Sequence, residues 1–157
     1  MKKMFFLIAL PALLFGCAKS GNTSQACTDV TPASEEAQII AYCNANNISY
    51  TKDSSGIFYQ IIDQGTAPHA TISSTVSTTY VGKYLTGSVI DQSTTPYTAP
   101  LNKLIPGWQI GLQLIGKGGH IKMVVPSSLC YGCYGVPASG LPPNTIIFFD
   151  INLLDVK

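Results

Sequence analysis

Two periods of apolar residues divide this chain. Over residues 32–46, Ile39, Ile40 and Cys43 recur at helical spacing. Thr31-Pro32 opens that segment with a hydroxyl at the N-cap and proline at the first helical position. Glu35-Glu36 stand near the positive end of the helix dipole, and Asn46-Asn47 supply a left-handed stop. The single apolar edge of this helix calls for a surface to pack on, either the following domain or a second copy of the chain. From Ser55 the period changes to two. Gly56 to Asp63 reads as a strand with Ile57, Tyr59 and Ile61 on one face, and Gly65-Thr66-Ala67-Pro68 reads as a turn. Thr75 to Tyr84 is a second strand, with Val76, Thr78 and Tyr80 on one face, and Ser88 to Asp91 is a shorter third. His120 to Val125 and Thr145 to Leu154 complete five, while Pro106 to Ile115 is a short helix begun by proline and stopped by Gly116. The expected fold class is α+β: an antiparallel β-sheet wrapped around a short α-helix and preceded by an N-terminal helix.

The first residues follow neither period. Met1-Lys2-Lys3 is a positive start, Phe5 to Phe15 is an apolar run interrupted only by Pro11, and Leu14-Phe15-Gly16-Cys17 ends it. The run is too short to span a bilayer and reads as a signal peptide. Its ending resembles a bacterial lipobox, which implies lipidation at Cys17 and a protein anchored to a membrane of the bacterial cell envelope, facing the periplasm or the cell surface. The expected organisation is a lipoprotein signal peptide over 1–17, a tether and N-terminal helix over 18–54, and one folded domain over 55–157. Small polar residues over 18–30 predict a flexible tether.

Composition narrows the partners. Charged residues make up 11% of the chain, against about 25% in ordinary soluble proteins. The nine cations are all lysines, and losing Lys2 and Lys3 with the signal leaves seven against eight acids. A nearly neutral mature chain offers no basic face, so nucleic acid is excluded as a partner. Cys27, Cys43, Cys130 and Cys133 form an even set in a chain expected to meet an oxidising compartment. Spacing favours Cys27–Cys43 and a small Cys130–Cys133 ring, with free thiols as the alternative. His69 and His120 read as surface residues.

The chemistry concentrates between Leu104 and Asp150. Leu104-Ile105-Pro106-Gly107-Trp108, Val125-Pro126, Leu129, Tyr131-Gly132, Leu141-Pro142-Pro143-Asn144 and Phe149-Asp150 gather the only tryptophan with aromatics and prolines. Such material in a soluble domain builds either a core or an apolar binding cavity. Together with Thr79-Tyr80-Val81-Gly82 and Ile90-Asp91, these segments resemble, in order and spacing, the FKBP-type peptidyl-prolyl cis-trans isomerases from about Gly56 to Lys157.

The resemblance implies an enzyme that assists folding of exported proteins by binding X-Pro segments, with no metal and no cofactor. It implies Trp108 as the floor under a substrate proline, with Tyr80, Ile90, Tyr97, Leu104, Ile105 and Phe149 as walls. Tyr131 would offer its hydroxyl to a substrate carbonyl, Leu141 would close the rim, and Asp91 would polarise the twisting amide or fix its neighbours. Partners would be proline-containing polypeptides. Two departures stand out: Ile90 replaces the phenylalanine usual before this aspartate, and no basic residue follows Asp91 until Lys103. They leave room for an alternative, a catalytically weak binding or chaperone module on the membrane surface. The pair Cys130 and Cys133 has the spacing of a redox motif but lies in a strand-to-loop turn, where a staple or inert thiols fit better.

Overall fold

The computed structural model describes residues 27–157. The signal peptide, Cys17 and tether residues 18–26 lie outside the described residues. Helix α1 (Pro32–Ala45) is followed by strands β1 (Thr51–Lys52), β2 (Phe58–Asp63), β3 (Thr66–His69), β4 (Thr75–Tyr84) and β5 (Val89–Pro100). Helix α2 (Pro106–Leu112), then β6 (Gly116–Lys117), β7 (His120–Val125) and β8 (Ile147–Val156) complete the chain. Six strands form one antiparallel sheet in the order β1-β2-β7-β8-β4-β5, and β3 pairs separately with β6. This is the expected α+β arrangement with more strands than the pattern predicted.

Alternation along the strands decides what each face buries. In β8, Ile147, Phe149, Ile151 and Leu153 point to one side, where Ile121, Met123 and Val125 of β7 join them in the main core. Helix α2 lies on that face and inserts Trp108 and Leu112. Phe58, Val124 and Phe148, the residues in between, point to the other side and meet Ile39 and Cys43 of α1 together with Ile48 and Ile146. The apolar edge of α1 is therefore covered by its own domain.

Several expectations change in detail. The chain at 65–68 belongs largely to β3 rather than to a turn, and the third strand runs twelve residues to Pro100 instead of ending at Asp91. Strand β5 is the last strand of its sheet, where Pro96 and Pro100 cost no ladder bond. Thr31 has extended backbone ahead of Pro32, but its hydroxyl makes no cap bond; Ser34 Oγ instead donates to the Thr31 carbonyl at 2.7 Å. Asn47 takes the left-handed stop at φ 54°. His120, expected on the surface, is half-buried, with Nε2 2.5 Å from Asp150 Oδ1.

The cysteine pairing is the main correction. Cys27 bonds Cys133, and Cys43 and Cys130 are buried free thiols. Cys43 faces the sheet from α1 at 0% exposure, and the Cys130 sulfur lies 3.7 Å from the Val125 carbonyl, so neither reaches its neighbour in sequence. From Cys27 onward the expected tether is fastened to the domain.

Candidate functional site

A bulge in β5 starts the site. Opposite the inward positions of β4, Thr78 pairs with Tyr97 and Tyr80 with Ser93, so β5 spends extra residues between them. Further along, Gly82 stands between Asp91 and Phe149. Tyr97, Tyr80, Asp91 and Phe149 thus converge on one end of the inner face. Gly82 leaves that row open, since a Cβ there would sit 3.0 Å from the Phe149 ring.

From below, α2 brings Trp108. Leu104 and Ile105 precede the helix, and the Leu104 carbonyl is held by Gln109 Nε2 at 2.7 Å. The indole is 5% exposed and meets two rings edge-on, Tyr80 at 4.9 Å and 83° and Phe149 at 5.6 Å and 89°. Tyr97 meets Tyr80 in the same manner at 6.0 Å. Edge-to-face packing suits the ring quadrupoles and fixes all four planes relative to one another.

The result is a cavity of about 270 Å³ lined by Tyr80, Ile90, Asp91, Tyr97, Leu104, Ile105, Trp108, Tyr131 and Phe149, with Gly82, Lys103 and Ile147. Nine of the sequence-nominated positions meet around it. Leu141 does not: it is 3% exposed, packs in the main core and bridges Val136. Gly82, Lys103 and Ile147 were not nominated. A glycine inside a strand pattern is the one signal that could have marked Gly82.

Polar groups at the cavity are few and oriented. Tyr80 donates its hydroxyl to Asp91 Oδ2 at 2.6 Å, and the Gln92 amide donates to Asp91 Oδ1 at 2.8 Å. The aspartate is thus held by a tyrosine and its own strand, without a cation. Burial, reinforced by the Asp91 hydrogen bond, pushes the Tyr80 phenol above its ordinary range. Burial also raises Tyr131, with smaller contributions from Cys130, Asp91 and Tyr97. Both phenols are therefore donors at neutral pH. The Trp108 indole N–H is buried with no acceptor among the described residues. Among the described residues, no three His, Cys, Asp or Glu side chains are grouped to hold a metal ion.

Residues 67–154 match the family FKBP_C, FKBP-type peptidyl-prolyl cis-trans isomerase. The chain belongs to this family. Among curated FKBP-type relatives, the isomerase FkpA of Escherichia coli strain K12 is 38% identical over 145 residues, covering 89% of this chain and 53% of the relative. The chain spans about half the length of that relative. The crystal structure of FkpA from Escherichia coli superposes with a TM-score of 0.70 at 38% identity, covering 80% of this chain and 61% of that one. A peptidyl-prolyl cis-trans isomerase from Pseudomonas syringae pv. tomato gives a TM-score of 0.68 at 27% identity, covering 83% and 98%. Within the FKBP frame, the departures seen in the sequence have physical counterparts. Ile90 is a half-buried aliphatic wall, and Asp91 has the Tyr80 hydroxyl and the Gln92 amide as its partners.

Proposed function

We propose that this protein is a peptidyl-prolyl cis-trans isomerase that assists folding of exported proteins by binding X-Pro segments in the aromatic cavity. The observation that carries the reading is the floor: an indole held edge-on by two rings beneath a cavity of about 270 Å³. An X-Pro bond prefers trans only slightly, but isomers interconvert over a barrier of about 18–20 kcal/mol. At the top of that barrier amide resonance is lost, so the carbonyl is less polar and needs water less. A dry apolar pocket holding the proline ring then favours the twisted amide over either planar form. Each ~1.4 kcal/mol of that preference is worth tenfold in rate. Tyr131 and the Tyr80–Asp91 pair supply the orienting groups at the rim.

The test is a protease-coupled cis/trans assay on an X-Pro peptide, with Tyr131→Phe, Asp91→Ala and Trp108→Leu beside the wild type. Turnover that falls in all three supports the reading. Absence of wild-type turnover sinks it, and equal turnover throughout sinks the site. A second reading, a binding or chaperone module of negligible turnover, draws on Ile90 and on the lack of a cation beside Asp91. A large gain in rate on Ile90→Phe favours it.

The same proposal includes export and lipid anchoring at Cys17, with residues 55–157 as the isomerase domain on the periplasmic or outer face of a bacterial membrane. Among the described residues no helix is long and apolar enough to cross a membrane. Radiolabelled palmitate incorporated by the wild type but not by Cys17→Ala would support the anchor; equal labelling would reject it.

A further inference from the structure

Tyr131 sits in the long connection between β7 and β8, at 43% exposure, on a loop with no regular strand or α-helix of its own. A loop of that length loses much conformational entropy on ordering. Beyond the loop's own backbone bonds, the N-terminal segment of the described chain also holds it. Glu35 of α1, 6% exposed, accepts the Ser127 amide at 2.8 Å, before Tyr131. Asp29 Oδ1 accepts the Cys133 amide at 2.8 Å, just after it. Gly132, between the two, has φ 56°, and a Cβ there would collide with the Asp29 carboxylate. The bare glycine makes room for that carboxylate. Cys27 is bonded to Cys133, and Pro32 packs so closely on Gly56 that a Cβ there would lie 2.6 Å from Pro32 Cβ. The segment from Cys27 to Glu35 thus grips the tyrosine loop on both sides of Tyr131 while contributing no residue to the cavity lining.

We propose that Asp29 and Glu35 are positioning residues for Tyr131, setting where its hydroxyl meets the substrate carbonyl. The inference rests on the isomerase reading of the cavity. A hydroxyl that must meet a carbonyl at hydrogen-bond distance tolerates little displacement, and small misplacements of such groups cost large factors in rate. Both carboxylates act on backbone amides, so each fixes the loop's path rather than any side chain directly.

The test measures kcat/KM for the full chain carrying Asp29→Ala, Asp29→Asn, Glu35→Ala or Glu35→Gln, in the native and in the Tyr131→Phe background. Both alanine variants are expected to lose about 3- to 10-fold. Asn and Gln keep an oxygen acceptor for the same amides and are expected to restore most of it. In the Tyr131→Phe background the alanine losses should shrink below about twofold, because neighbours acting through one group are not additive. Glu35 is buried, so circular dichroism is used to confirm folding, and Glu35→Gln with the more exposed Asp29 variants carry the comparison if Glu35→Ala does not fold. Unchanged alanine variants, or equal losses in both backgrounds, would overturn the proposal. A wild type without turnover overturns the isomerase reading alone. Peptide affinity read from Trp108 fluorescence then decides the positioning role by the same pattern of losses.

Discussion

At Tyr80 one side chain serves two neighbours: its ring braces the Trp108 indole and its hydroxyl restrains Asp91. Tyr80→Phe separates these tasks. The ring stays, Asp91 keeps the Gln92 amide, and its exposed carboxylate regains water, so stability should change by less than about 1 kcal/mol. A hydrogen bond to a charged group is worth roughly 1.5–3 kcal/mol where water cannot replace it, so kcat/KM should fall by about tenfold if Asp91 must be held still. Denaturation and the coupled assay on the same sample separate the two. The protonation states at this site also predict alkaline behaviour. Burial raises the Tyr80 and Tyr131 phenols above their ordinary 10.0 and the Cys130 thiol above 9.0. Raised acids stay protonated in the fold while the unfolded chain ionises, so the unfolded state binds fewer protons and stability falls as pH rises. Their contribution is fully present below about pH 9 and is lost progressively above it. Urea midpoints that hold steady between pH 9 and 11 would contradict this.

Helix α2 is seven residues long and carries two glycines, which helix propensity alone would not select. Packing explains both. A Cβ on Gly107 would collide with Val125, and one on Gly111 with Met123, so the bare backbone lets α2 settle onto β7 and sets the depth of Trp108. Gly111→Ala therefore pits two effects of known sign. Propensity favours alanine by up to about 1 kcal/mol, while overpacking costs about 1–3 kcal/mol. We expect net destabilisation and a shifted emission of the only tryptophan, read by urea titration and fluorescence; a stabilised variant with unchanged emission would show that Met123 yields freely. Elements with clean periodicity were legible in the sequence: the bounds of β4 and β7 follow directly from alternation. Pro106 marks the start of α2, but the helix ends at Leu112, three residues before the expected Ile115. The full length of β5 is not legible because an exposed edge needs no apolar alternation, leaving Gln92-Ser93-Thr94-Thr95 without a pattern. The walls of the cavity followed from the family resemblance. Leu141 did not, because a leucine buried beneath a loop and one closing a rim look alike in sequence, and Lys103 and Ile147 lack any feature that separates lining from core.

For the molecule as a whole, the decisive link joins the segment ahead of α1 to the loop between β7 and β8. Sequence spacing favours short cysteine loops because closing them costs the least chain entropy, whereas the fold selects by where the side chains point. Here α1 turns Cys43 into the helix–sheet core and the loop turns Cys130 beneath itself, leaving Cys27 and Cys133 with Cα atoms 5.7 Å apart. The pair spans a sequence separation of 106 and therefore restrains nearly the whole unfolded domain. Breaking it should cost about 2–5 kcal/mol. Guanidinium titration with and without reductant measures that loss, and Cys27→Ser should reproduce it and make the protein insensitive to reductant. Non-reducing peptide mapping should recover a fragment linking Cys27 to Cys133, with Cys43 and Cys130 alkylated only after denaturation, as buried thiols require. A Cys130–Cys133 linked fragment would instead place the staple within the Tyr131 loop. The grip of the N-terminal segment would then rest on Asp29 and Glu35 alone.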